Sequence, residues 1–140
     1  MTILLVRHAA AGDRSAWSRD DRLRPLDKRG RRQAEGLPEA LASWRVGRIL
    51  TSPYVRCVET VEPLAERAGL PIEERDELAE GAGRDNALSL IEELGTEPTV
   101  LCTHGDVVID LLGEKLKKGA TAVLEPDDEL RPVLVVPPPA

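Results

Sequence analysis

Two stretches of the chain are apolar without alternation: Ile3-Leu4-Leu5-Val6 and, nearly a hundred residues later, Thr99-Val100-Leu101-Cys102-Thr103. A strand with one face in water alternates polar and apolar residues, so runs like these predict strands covered on both faces of a parallel sheet. Each run stops abruptly at a histidine, in Arg7-His8 and in His104-Gly105. Arg48-Ile49-Leu50-Thr51 reads as a shorter strand of the same kind.

Between the strands the apolar spacing changes to that of helices. Asp27 is placed as the N-cap of a helix through about Ser43, with Ala34, Leu37, Leu41 and Trp44 facing the core and Pro38 bending or shortening it. Ser52-Pro53 reads as the N-cap and first-turn proline of a second helix that runs towards Gly69. Its stripe would be Val55, Val58, Val61, Leu64, Ala65 and Ala68, with a kink at Pro63. Leu70-Pro71-Ile72-Glu73 suits an edge strand, because Pro71 cannot donate inside a central ladder. Helices follow near Ala87 to Leu94, ending at Gly95, and near Val107 to Leu116. Thr121 to Leu124 and Pro132 to Val136 read as late strands around the turn Glu125-Pro126-Asp127-Asp128. Strands alternating with helices make this an α/β layered sandwich with a mostly parallel sheet.

Composition narrows the class. The chain has 140 residues, 41% of them apolar, enough to fill one core, so residues 1–140 are expected to form a single domain with a Pro-rich tail at 136–140. No apolar run approaches the ~18 residues of a membrane span, and Met1 to Arg7 lacks the charged start and long apolar stretch of a signal peptide. A cytoplasmic protein is expected. Cys57 and Cys102 have no Cys or His at metal-binding spacing and read as buried structural thiols.

Charge divides the chain in two. Residues 1–56 carry twelve basic and six acidic side chains, residues 57–140 seven basic and nineteen acidic. A basic half can mark a nucleic-acid face or a compact anion site. With only Trp17, Trp44 and Tyr54 to stack on bases, a small phosphorylated ligand fits better than a nucleic acid polymer. Arg29, Arg31 and Arg32 read as a solvated helix face.

In an open α/β sheet ligands bind beyond the carboxyl ends of the strands. Three such ends deliver basic groups here: Arg7-His8, Arg56 one turn into its helix, and His104. One histidine after a strand is most simply a core residue bonded to a carbonyl. Both of the chain's two histidines in that position, accompanied by arginines, point to chemistry instead. Guanidinium groups bind phosphate oxygens in forked pairs, and neighbouring positive charge keeps an imidazole neutral and nucleophilic. Two histidines could instead ligate zinc, but no third ligand stands at a motif spacing, so no metal and no cofactor are expected. Asp106 reads as a helix N-cap.

Four segments together carry a family resemblance: Leu4-Leu5-Val6-Arg7-His8-Ala9-Ala10-Ala11, Arg24-Pro25-Leu26-Asp27-Lys28-Arg29-Gly30-Arg31-Arg32-Gln33-Ala34, Thr51-Ser52-Pro53-Tyr54-Val55-Arg56-Cys57-Val58-Glu59-Thr60 and Cys102-Thr103-His104-Gly105. In this order, over about residues 2–112, they resemble the motifs of the histidine phosphatase, or phosphoglycerate-mutase-like, superfamily. The resemblance implies a three-layer α/β/α sandwich, His8 as phosphorylated nucleophile, and Arg7, Arg56 and His104 completing a phosphate pocket. Ala9 stands where the family commonly has glycine and Ala11 where threonine is frequent, as in the short phosphohistidine-phosphatase branch. The length and the Arg24-Pro25-Leu26 segment are similar to that branch too, with Arg24 a candidate contact at the rim.

A family-type general acid would come from Asp76-Glu77-Leu78-Ala79-Glu80-Gly81. Glu80 is the choice on its Glu-Gly resemblance, with Glu77 one alternative and a merely solvated loop carboxylate the other, since some short members of the family lack this acid. The resemblance therefore implies a metal-independent phosphatase acting on a phosphorylated small molecule or a phosphohistidine protein. Two other readings stand beside it: a nucleotide or small-phosphoester hydrolase like the phosphatase domain of some Nudix fusions, and a non-catalytic phosphate-binding or phosphoprotein-binding module.

Overall fold

A computed structural model describes residues 1–126 and 129–140. Among the described residues six strands form one sheet: β1 (Ile3–Arg7), β2 (Arg48–Thr51), β3 (Ile72–Glu74), β4 (Thr99–Thr103), β5 (Thr121–Leu124) and β6 (Pro132–Val136), in the order β3-β2-β4-β1-β5-β6. β1, β2, β3 and β4 run parallel, while β5 and β6 are antiparallel additions beyond β1. β3 lies at the sheet edge, where Pro71, just before it, costs no ladder bond. Of the expected turn between the last strands, Asp127 and Asp128 lie outside the described residues.

The unalternating runs are explained by helices on both faces. Ile3 and Leu5 of β1, Leu50 of β2 and Leu101 of β4 face one core, against α3 (Arg84–Glu92) and α4 (Gly105–Leu112). Leu4, Val6, Ile49, Val100 and Cys102 face the other, against α1 (Lys28–Ala40) and α2 (Val55–Ala68). Each of the four apolar residues of β1 is wholly buried, a gain of about 1.5–3 kcal/mol apiece over exposure. The result is the three-layer α/β/α sandwich.

Several element ends differ from expectation. α1 begins where predicted, its N-cap Asp27 accepting from the Gly30 N–H at 2.8 Å, but it stops at Ala40 and a single 3₁₀ turn, Ala42–Trp44, takes the place of its last turn. Pro38 sits two residues before that end. α2 starts after Tyr54, not at Ser52-Pro53; the Ser52 hydroxyl accepts from the Tyr54 N–H at 3.3 Å, just before the helix, and also meets His104 at 2.8 Å. Its buried face is also rotated from the apolar stripe: Arg56, Cys57, Thr60, Val61, Leu64 and Ala65 point inward, while Val55 and Val58 are half-buried and Ala68 exposed. Hydrophobicity alone could not place a wholly buried arginine on that face. α2 continues across Pro63 and ends at Gly69 with φ 68°, as expected of a left-handed cap. α3 starts at Arg84, earlier than predicted, and α4 at Gly105.

The ladder register fixes the geometry that matters. Arg7 of β1 lies opposite Thr103 of β4, and Thr51 of β2 opposite Cys102. His8, Ser52 and His104 are therefore the next residues out, at one carboxyl edge of the sheet. The His8 N–H donates to the Thr103 carbonyl at 3.0 Å and the Ser52 N–H to the Cys102 carbonyl at 2.9 Å, carrying the ladder one step further.

Candidate active site

Beyond that edge lies a cavity of about 560 Å³, whose lining includes Arg7, His8, Arg14, Arg24, Glu80 and His104. The two imidazoles meet edge to face with ring centroids 5.4 Å apart. His8 is 6% exposed. Its Nδ1 lies 2.8 Å from the Ala9 carbonyl, which can only accept, so Nδ1 carries the proton and Nε2 keeps its lone pair. Burial drives the His8 pKa down to about 3, with the charges of His104, Arg56 and Arg7 adding to it and the Ala9 bond opposing. At neutral pH His8 is thus an uncharged base.

The segment after β1 is held by partners from two helices. Thr60 of α2 accepts from the Ala9 N–H at 3.0 Å and donates to the Arg56 carbonyl at 2.6 Å. Gln33 of α1 accepts from the Ala10 N–H at 2.9 Å, and the Ala10 carbonyl accepts from the Asp27 N–H at 3.1 Å. α1 approaches so closely that a Cβ on Gly30 would stand 1.8 Å from the Ala10 carbonyl oxygen.

Arg7 donates from Nη1 to the Leu116 carbonyl at 2.7 Å, and its guanidinium lies flat enough on Gly105 that a Cβ there would come within 2.9 Å. Burial lowers its pKa. Arg56, 0% exposed, is not on the lining but lies beneath it, beside His104: Nη1 donates to the Asp21 carbonyl at 2.9 Å and Nη2 to the Asp21 carboxylate at 3.1 Å. Nη2 is also 3.5 Å from Nδ1 of His104 and 3.6 Å from the Glu80 carboxylate. The Glu59 carboxylate does not pair with Arg56; it accepts from the Leu26 N–H at 2.9 Å. His104 Nε2 lies 2.8 Å from the Ser52 hydroxyl, and the Tyr54 ring packs edge-on against its imidazole at 4.6 Å.

The two candidate acids part company. Glu77 is drawn away by Arg75, at 2.6 Å. Glu80 lines the cavity and accepts from Arg14 at 2.7 Å. Its segment is anchored by wholly buried Leu78, whose carbonyl accepts from the Thr103 hydroxyl at 2.6 Å. Asp106 is not the N-cap of α4, a position held by His104; instead its carboxylate accepts from the Gly81 N–H at 2.8 Å and pins the residue after Glu80. Arg24 reaches the lining, 6% exposed, donating to the Gly12 carbonyl and, at 3.0 Å, to Asp21.

The structure thus brings His8, Arg7, Arg56, His104, Glu80 and Arg24 to one place. It adds Asp21, Arg14, Ser52 and Thr60, which the sequence reading did not select. Burial would raise the Asp21 pKa, but the Arg24 hydrogen bond and the charges of Arg56 and Arg14 hold it below the usual value. Among the described residues no three His, Cys, Asp or Glu side chains are grouped as metal ligands, and no helix is long and apolar enough to cross a membrane.

Comparison with known proteins points the same way. Residues 3–99 match the model of the histidine phosphatase superfamily, branch 1. An 8-oxo-(d)GTP phosphatase of Mycolicibacterium smegmatis is 40% identical over 116 residues, which are 79% of this chain and 36% of that protein, so the chain spans about a third of that relative's length. The SixA structure from Agrobacterium tumefaciens superposes with a TM-score of 0.80 at 25% identity, covering 98% of both chains. A tungstate complex of the protein histidine phosphatase SixA gives 0.77 at 22% identity, covering 99% of this chain and 97% of that one.

Proposed function

The chain belongs to the histidine phosphatase superfamily, and from that premise we propose that it hydrolyses phosphorylated substrates by double displacement through a phosphohistidine at His8. The observation that carries this reading is the tautomer of His8: with Nδ1 donating to the Ala9 carbonyl, Nε2 is an unprotonated lone pair, and burial keeps it so at neutral pH. Nε2 attacks phosphorus in line, the P–N bond forms, and the bond to the leaving oxygen breaks. Arg7, Arg56 and His104 stabilise the charge on the equatorial oxygens. Glu80 or water supplies a proton where the leaving oxygen needs one. Water then attacks phosphorus, and the P–N electron pair returns to Nε2.

Arginines and histidines supply the positive charge that a metal ion would otherwise bring, so the reaction is metal-independent in this proposal. The SixA structure that shares this fold is a complex with tungstate, an oxyanion. Rapid-quench mass spectrometry tests the intermediate. An acid-labile phosphate on His8 is expected; its persistence in His8→Ala, or its appearance on His104, overturns the assignment. Turnover should survive EDTA, and loss that is restored by a stoichiometric divalent ion overturns metal independence.

The identity of 40% to an 8-oxo-(d)GTP phosphatase supports a second reading within the same chemistry, in which the substrate is a nucleotide and not a phosphohistidine protein.

A further inference from the structure

The cavity holds more positive charge than one phosphoryl group requires. Lys115 and Lys118 are on its lining, and among the described residues neither ammonium has an ion pair or hydrogen bond. The lining carboxylates, by contrast, are occupied: Asp13 accepts from Ser15, Glu80 from Arg14 and Asp106 from Gly81. Arg7 spends its one side-chain bond on a neutral carbonyl.

The lysines are fixed beside the nucleophile by their backbone. The Gly119 N–H is shared between the Arg7 and His8 carbonyls at 3.0 Å each, Arg7 Nη1 holds the Leu116 carbonyl, and Gln33 donates to the Lys118 carbonyl at 3.4 Å. Gly119 turns the chain there with φ 85°. Lys118 feels the crowding: burial, and then Arg7, Arg24 and Arg56, disfavour its charged form, with Asp27 opposing. A site of this kind is short of anion.

The leaving side gives a second indication. Glu80, the candidate acid, faces two guanidinium groups, Arg14 at 2.7 Å and Arg56 at 3.6 Å. It is held as an acceptor, an arrangement suited to a leaving group that departs without a proton.

We propose that the substrate is a phosphoanhydride, its terminal phosphoryl group lying against Arg7, His8 and His104 and the adjoining phosphate between Lys115 and Lys118. This rests on the phosphatase reading above and names its substrate class. The His8 Nε2 lone pair forms the P–N bond while the bond from phosphorus to the bridging oxygen breaks, and the electron pair leaves on the inner phosphate, whose charge the lysines meet. Water cleaves the P–N bond, so one anhydride and one water give orthophosphate, the shortened phosphate and a proton. Phosphohistidine and simple monoesters lack the second phosphate and leave the lysines unused.

Calorimetric titration of the full chain with methylenediphosphonate and methylphosphonate tests this without turnover. Charge-assisted contacts to the second group predict about tenfold tighter binding of the diphosphonate, and the double variant Lys115→Gln/Lys118→Gln is expected to abolish that ratio. Equal affinity in the unaltered protein, or a preference that survives in the double variant, overturns the subsite. Hydrolysis of p-nitrophenyl phosphate reports separately on the phosphatase reading. A chain that turns it over without preferring the diphosphonate loses the subsite alone; one that prefers the diphosphonate but never carries phosphate on His8 keeps the subsite and loses the mechanism.

Discussion

Asp21 holds Arg56 twice, accepting from Nη1 at its carbonyl, 2.9 Å away, and from Nη2 at its carboxylate, 3.1 Å away. The guanidinium is wholly buried while its partner side chain is 31% exposed, so Asp21 closes the fork from the solvent side. The second N–H of Nη2 faces Nδ1 of His104 at 3.5 Å, and Nε is left without a partner. Asp21 also receives Arg24 at 3.0 Å and lies 3.6 Å from Arg14, which makes it the hub of the arginines around the cavity.

Asp21→Ala should therefore damage catalysis through Arg56 without touching His8. Misplacing a catalytic group by an ångström can cost on the order of a hundredfold, and a fall in kcat of about tenfold to a hundredfold is expected. Steady-state kinetics of the variant check it; an unchanged kcat means the pair is structural only.

Arg56→Lys should be worse. An ammonium cannot keep both Asp21 contacts and still offer a fork to the equatorial oxygens, and losing one preorganised donor typically costs ~10² to 10³ in rate. Near-normal kcat in a folded Arg56→Lys protein removes Arg56 from the transition state.

How far the sequence showed this site follows from the kind of signal each residue gives. β1 and β4 and the histidines ending them were legible because burial on both faces leaves unbroken apolar runs, and a polar residue after such a run must sit at a sheet edge. Asp27 was legible because capping is local. Asp21 and Arg14 were not: they lie in the polar stretch between β1 and α1, which has no periodicity, and their partners Arg56 and Glu80 are 35 and 66 residues away. Arg56 is legible from its place one turn into the helix after β2 and from the motif, but its face of α2 is not, because a buried arginine breaks the hydrophobic stripe. Thr60, one turn after Arg56 on that face, was the available clue. The Ser52-Pro53 signal is offset by two residues and has a second use: the serine hydroxyl accepts from the Tyr54 N–H and also meets His104, 52 residues away, a contact that no local pattern shows.

Gly30→Ala tests how the loop that carries His8 is held. The new Cβ would meet backbone, the Ala10 carbonyl oxygen at 1.8 Å, which cannot swing aside. Overpacking of this kind costs about 1–3 kcal/mol, and here the strain falls two residues from His8, so both stability and activity should drop. Gly12→Ala is the matching control, since nothing lies within 4 Å of its Cβ position. Denaturant unfolding of the two variants should separate them, and equal stability means α1 can retreat.

Glu80→Gln distinguishes leaving groups. A general acid contributes typically ~10² to 10⁴ in rate, so an alkyl monoester should lose about that much in this variant if Glu80 protonates its oxygen. An anhydride, whose inner phosphate leaves as a stable anion, should be affected far less. Comparing the two substrates in one variant decides the role; equal large losses on both would mean that Glu80 acts by holding Arg14 and Arg56 and not by giving a proton.

The low pKa of His8 makes stability depend on pH, and its sign can be worked out. In the unfolded chain this imidazole takes up a proton below its ordinary value of 6.5, whereas in the folded protein burial delays uptake until about 3. Between those values the unfolded state binds the extra proton, so stability rises with pH across the window and is lost as pH falls from 6.5 towards 3. The slope from this one group is at most about 1.4 kcal/mol per pH unit. His8→Asn removes it, and unfolding of the two proteins at pH 7 and pH 5 should show the wild type losing more stability than the variant. The same shift predicts that kcat/KM has no rising limb from His8 between pH 5 and 7, because its imidazole is already neutral at the lower end. A kcat/KM limb near 6.5, together with a wild type that loses no more stability than His8→Asn between pH 7 and pH 5, would show an imidazole that titrates as if solvated and would overturn the buried, permanently neutral His8.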